Sequence, residues 1–274
     1  MTSVDHAELP SAWADGIPGL RALGDVAAVV DAELHKVVRD PVEIFTRAAQ
    51  PLLWLLVFGQ VITRTRAIAT GPISYIDYLT PGVLAQSALF AAIFYGIAVI
   101  WERDLGIAHK LLVSPASRVS LILGKAVTAG IRSTVQAVII YVAAFAIGVH
   151  VRTDPAAIIG VIVVVMLGSA LFATFSLTIA CIVRSRERFM GIGQLMTMPV
   201  FFASSAVYPI ALMPPWLQTV AYVNPLTYMV DAARGLMIVG GTAEHGLPLD
   251  LAVLVGVTAM FVLISARLYP RLAQ

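Results

Sequence analysis

The chain has one cysteine, Cys181, in 274 residues. That excludes a disulfide framework and a cysteine-based metal site. It also has little charge. Asp, Glu, Lys and Arg make up 12% of it, against about 25% in a soluble domain. So few charges cannot clad a water-facing fold of this size, which excludes an ordinary cytosolic enzyme and a disordered tail. The net charge of +2 is too small for a polyanion footprint, so no nucleic acid is expected as a partner. The five histidines, His6, His35, His109, His150 and His245, are scattered, and no metal is expected. Gly124-Lys125 is preceded by Val119, where a phosphate loop needs glycine, so no Walker A motif is present. GxSxG and HExxH are also absent, and the chain is expected not to be an enzyme. No two glycines stand four apart, which removes the strict GxxxG pairing motif and leaves small residues such as Gly160, Gly168, Ser169 and Ala173 for close helix contact. Residues 1–24 carry Asp5, Glu8 and Asp15 without an apolar run. No cleaved export signal is expected there, and 1–21 reads as a flexible N-terminus.

What is abundant is apolar chain: 59% hydrophobic residues and a mean hydropathy of +0.89. Both point to an integral membrane protein built of helices. Uncharged stretches lie at 48–63, 78–101, 133–149, 155–183, 189–230 and 251–266. Capping chemistry sharpens their ends. Asp40-Pro41 with Glu43 reads as the start of a helix, because proline at the first helical position gives up an N–H that has no partner anyway. Thr80-Pro81 and Asp154-Pro155 read the same way. The expected spans are 41–63, 81–101, 125–149, 155–183, 189–212 and 249–269. The run 189–230 would be about 63 Å long as one helix, and Met213-Pro214-Pro215 breaks it. Residues 215–240 restart at Asn224-Pro225 and stop at Gly240-Gly241, too short to cross, and read as re-entrant helices.

Positive charge sets the orientation. With six spans, thirteen Lys and Arg fall in cytoplasmic segments and four, Arg64, Arg66, Arg152 and Arg234, outside, with Arg132 inside a span. Both termini are therefore expected in the cytoplasm of a plasma-membrane protein. A seventh span would move Arg267 and Arg271 outside.

Two cytoplasmic segments stand out. Residues 22–40 place Val26, Val29, Val30, Leu34, Val37 and Val38 on one helical face, as in a helix lying in the membrane plane. Residues 102–113 combine Glu102, Arg103 and Asp104 with a stripe of Leu105, Ala108, Leu111 and Leu112 before Ser114-Pro115. That composition fits a docking helix or a plain connecting loop equally well. The basic turn Arg184–Arg188 reads as an anchor to anionic lipid.

At these residues the chain resembles the permease subunits of the ATP-binding cassette (ABC) type-2 transporter family, in particular drug-resistance and lipo-oligosaccharide exporters, over about 22–270. One patch runs from Glu102-Arg103-Asp104-Leu105-Gly106 through Leu111-Leu112-Val113-Ser114-Pro115 to Leu123-Gly124-Lys125, with Asp104 where glutamate is commoner. The other runs from Phe202 through Tyr208-Pro209 and Met213-Pro214-Pro215-Trp216-Leu217. It continues through Asn224-Pro225-Leu226-Thr227-Tyr228 to Asp231 and Arg234. The resemblance implies two permease chains, alike or sister chains, around a central pathway in membrane lipid. Two separate ATPase subunits, holding ATP and Mg, dock beneath. It makes 102–113 the coupling helix, 22–40 the interfacial helix and 215–240 the outer re-entrant helices. Glu102, Arg103, Asp104, Leu105, Gly106, Leu111, Leu112, Ser114 and Pro115 would carry the coupling.

The remaining residues admit two readings each. Arg132 either snorkels and pairs between helices or lines the pathway. Asp231 and Arg234, at i and i+3, either pair locally or, with Tyr208, Pro209, Asn224, Pro225 and Tyr228, form an outer gate. Phe94 and Phe175 either pack or line a hydrophobic path, and Trp54 reads as packing. The expected function is export of an amphipathic drug, lipid or glycolipid. The alternative is a secondary transporter driven by an ion gradient, a class that usually shows broken helices at mid-membrane and often an internal repeat.

Overall fold

The computed structural model describes residues 24, 48–105, 117–183 and 185–270, apart from the side chain of Phe94. The expected interfacial helix, apart from Gly24, the first turns of span one and the segment 106–116 lie outside the described residues. Helices account for the described chain, with no strand among these residues, only an isolated bridge between Val151 and Ile238.

The first described segment, 48–65, is helical and contains a π-helical stretch, Trp54–Gly59, followed by α1, Gln60–Thr65. Trp54 sits in a cluster of aromatic edges. Its ring lies 4.9 Å from Phe58 and 6.1 Å from Phe201, so this segment is tied to a helix end about 150 residues later in the chain.

The helices that follow are α2 (Tyr75–Asp104), α3 (Arg118–Ala146), α4 (Pro155–Ile182) and α5 (Arg186–Phe202). After a short 3-10 turn at Ile210–Leu212 come α6 (Pro215–Val223), α7 (Pro225–Met237) and α8 (Leu247–Leu268). Four of them, α2, α3, α4 and α8, are long and apolar enough to cross a membrane. Helix α5, with 17 residues, rises about 25 Å.

Local chemistry explains the starts. Ser74, Ser117, Asp154 and Ser185 each accept a backbone N–H three residues on, capping α2, α3, α4 and α5. At Asp154 the Ala157 N–H, joined by Arg152, holds the carboxyl below the usual carboxylate range.

Several boundaries differ from the sequence expectation. Helix α2 begins at Tyr75, not at Pro81. Ser74 caps earlier, and Pro81 is carried inside the helix. Glu102, Arg103 and Asp104 form the last turn of that helix, so they do not begin a separate one. Helix α3 starts at Arg118 instead of Lys125, because the helix continues through polar turns that hydropathy does not register. Helix α5 ends at Phe202, well before 212, and the chain turns through 203–209.

Helix α4 is the hub, packed against α2, α3, α7 and α8. Small residues allow the close approaches. A Cβ on Gly96 would stand 2.3 Å from Ser176 Oγ, and one on Gly168 2.2 Å from Met229 Sδ. Ser176 Oγ also donates to Ile93 O at 2.6 Å and accepts the Gly96 N–H, joining α2 to α4. Thr178 and Ser265 share a hydroxyl bond of 2.8 Å between α4 and α8. Pairing polar groups inside the helix stack in this way removes the cost of burying them.

The segment expected to be re-entrant divides in two. Helix α6 keeps Trp216, Val220, Tyr222 and Val223 exposed. Helix α7 buries Leu226, Met229, Val230, Ala232, Ala233 and Met237, packing on α4, α8 and α2. Its C-terminus is pinned by Arg152 N–H to Met237 O (2.7 Å) and Val239 N–H to His150 O (2.8 Å).

Candidate functional site

Charged and polar groups gather at the two ends of the bundle. At the end where α2 stops, Lys125 Nζ meets Glu102 Oε2 at 2.6 Å, with both side chains largely removed from solvent. Lys125 also lies 5.8 Å from the centre of the Tyr95 ring. Asp104 is gripped from two sides: Arg103 donates to Oδ1 at 3.0 and 3.1 Å, and Arg186 donates to Oδ2 at 2.7 and 2.9 Å. Arg186 stacks 4.1 Å over Trp101.

These contacts join the end of α2 to α3 and to the start of α5. Glu102 and Asp104 are thereby each bonded to a side chain of another helix. Leu105, just beyond, is 69% exposed and offers an apolar side chain next to the charges. Gly106, Leu111, Leu112, Ser114 and Pro115 lie outside the described residues.

Sequence reasoning did not assign Lys125 and Arg186 as partners of these acids. Arg186 stood as a lipid anchor. The partners lie 23 and 82 residues away, and only the fold brings them together.

At the opposite end, Asn224 is the structural knot. Its amide donates to Val200 O at 2.6 Å and Ala203 O at 2.7 Å, while its oxygen accepts the Leu226 N–H at 3.0 Å. One side chain thus satisfies two carbonyls at the end of α5 and caps α7, which Pro225 then starts. Tyr75 and Tyr78 of α2 donate to Val207 O and Ser205 O, both at 3.0 Å. Tyr208 donates to Phe202 O and Tyr228 to Tyr222 O, each at 2.7 Å. The turn at 203–209, which includes Pro209, is held from every side.

Asp231 and Arg234 do not pair with each other, contrary to the local ion pair that their spacing suggested. Arg234 donates to Ser205 O at 2.7 Å and stacks 3.9 Å over Tyr78. Asp231 accepts the N–H groups of Glu244 and His245 and faces His245 Nδ1 at 2.9 Å. Tertiary partners outcompete the neighbour one turn away because both side chains are buried and oriented inward. They join α7 to α2 and to the connection before α8.

Between the ends, Arg132 lies 6.0 Å from the centre of the Tyr95 ring. Phe175 packs edge-on against Phe261 at 5.2 Å, joining α4 to α8. Phe94 lies in α2, and its side chain is outside what is described.

A family model described as ABC-2 type transporter matches residues 25–238. Among curated proteins, the chain is 27% identical over 200 residues to a putative transport permease, ycf38, of Cyanophora paradoxa, covering 72% of this chain and 69% of that one. It is 22% identical over 230 residues to the daunorubicin resistance ABC transporter permease protein DrrB1 of Streptomyces coeruleorubidus, covering 84% and 80%. Nodulation protein J of Rhizobium meliloti is 25% identical over 232 residues, with 83% and 87% covered.

Proposed function

The chain belongs to the ABC-2 type transporter family and is a multi-pass membrane permease of an ABC transporter. From that premise we propose that it exports an amphipathic or hydrophobic compound, a drug, lipid or glycolipid, from the cytoplasm, driven by separate ATPase subunits. Two permease chains and two ATPases form the working unit. Six spans put both termini in the cytoplasm: the four long helices, α5, and the segment that ends in α1.

The observation that carries this reading is the braced turn at the end of α2. Glu102 and Asp104 are each tied by short ionic bonds to another helix. An apolar residue, Leu105, is exposed immediately beyond. The ATPase seats on this turn and the segment that follows it. Nucleotide binding does work only if it favours one arrangement of the helices over another, and a rigid turn is what transmits that preference. The relative named for daunorubicin resistance supports an amphipathic cargo. Arg234, Asp231, Asn224, Tyr208 and Tyr228 brace the outer end, where α7 closes the pathway.

Purification in mild detergent tests the assembly. We expect a polypeptide bearing a Walker A motif to co-purify with the chain at a one-to-one ratio. It should be lost when Leu105 is replaced by Glu. Recovery of the chain without any such subunit, from cells that contain it, would contradict the reading.

A further inference from the structure

Three potential ligands converge where α7 meets the start of α8. Asp231 of α7, His245 of the connection and Asp250 of the first turn of α8 each offer a donor atom, all within 4.8 Å of one another. Asp231 is 2% and Asp250 0% exposed. Asp231 is well served by the N–H groups of residues 244 and 245 and by His245 Nδ1. Asp250 is different: both of its carboxylate oxygens are buried without a hydrogen-bond partner among the described residues.

A buried carboxylate without a protein partner is costly, and a second carboxylate beside it raises the cost. A positive charge between them removes that cost. Arg234 is one turn from Asp231 but points to Ser205 and Tyr78; its Nε and Nη1 are buried without a hydrogen-bond partner among the described residues, and it forms no ion pair within 4.0 Å of either acid. Glu244, on the connection, adds further negative charge.

We propose that Asp231, His245 and Asp250 form a binding site for a divalent cation of the zinc type. One imidazole and two carboxylates suit zinc, which takes nitrogen and oxygen ligands at about 2.0–2.2 Å and leaves a fourth position for water. Asp231 holds its orientation through backbone N–H groups, the outer-shell support that such ligands require. The bound ion joins α7 to α8, fixing the buried helix to the last span. The sequence hid the site because its members are 5 to 19 residues apart on three different elements.

The experiment uses the full chain in detergent, stripped with a chelator and titrated with zinc chloride. Calorimetry reads binding, and thermal unfolding reads stability. This needs no ATPase and no cargo, so its outcome is independent of the transport reading. We expect one zinc per chain, a rise in midpoint on zinc addition, and at least a tenfold loss of affinity in Asp250→Asn. In chelator, Asp250→Asn should be at least as stable as the unsubstituted chain, because the repulsion is gone; in zinc the order should reverse. His245→Ala, a change on the connection between α7 and α8, makes the same comparison should Asp250→Asn fail to fold.

Equal zinc affinity and stoichiometry in the unsubstituted chain and both variants would place the metal elsewhere, for example at His6, His35, His109 or His150, and overturn the proposal. So would an infrared band of a protonated carboxyl that is absent in Asp250→Asn and unchanged by zinc. The site would then hold a proton only.

Discussion

Glu102→Lys is expected to destabilise the protein by about 3–5 kcal/mol, because it leaves two like charges facing each other where Lys125 is buried. The side chains of Lys125 and Glu102 are 5% and 14% exposed, so solvent does little to screen the repulsion. Thermal unfolding of the purified variant measures the loss. The charge-swapped pair, Glu102→Lys with Lys125→Glu, should recover most of the stability. A single variant as stable and as active as the original would refute the claim that this pair braces the turn.

The second large effect is expected at Gly82. A Cβ there would stand 2.2 Å from Ala206 O and 2.8 Å from Ala206 C and Cα. Backbone lies on the opposing side, so no side-chain rotation relieves the clash. Gly82→Ala should cost about 1–3 kcal/mol and push α2 away from the 203–209 turn, loosening the hydrogen bonds from Tyr75 and Tyr78. Gly168→Ala meets only the flexible end of Met229 and should cost less. Gly256, with nothing within 4 Å of its added Cβ, is a helical position where alanine should be neutral or stabilising by about 0.5–1 kcal/mol. Unfolding midpoints of the three variants give the ranking. A Gly82→Ala midpoint equal to that of Gly256→Ala would refute the close approach.

How much of the fold was legible depends on whether the chemistry is local. The apolar composition and the breaks at Asp154-Pro155 and Asn224-Pro225 are readable because a cap and a proline act within one turn. Thr80-Pro81 carries the same dipeptide signal and misleads. Ser74 caps six residues earlier, and Pro81 is tolerated inside a helix whose packing outweighs its loss of one backbone bond. The start of α3 at Arg118 was missed for another reason. Hydropathy senses the apolar core of a membrane, and a helix extends beyond it into polar turns. Within the candidate sites, sequence pointed to Glu102, Asp104, Asn224, Asp231 and Arg234 but not to their partners. Lys125, Arg186, Ser205 and His245 are brought to them by tertiary packing. Spacing alone suggested an Asp231–Arg234 pair that the fold replaces with better-placed groups. Asp250 gave no signal at all, since a single acid at the start of a span is indistinguishable from an ordinary interfacial residue.

The permease is expected to move cargo only when a motor outside its own chain drives it. Vesicles carrying the purified chain, with and without its ATPase subunit, test this most directly, using daunorubicin and a fluorescent phospholipid as reporters. Flux of a reporter that requires both the ATPase and ATP, and that stops in Glu102→Lys, is the predicted result. Flux through the chain alone, with no nucleotide and no second polypeptide, would contradict it.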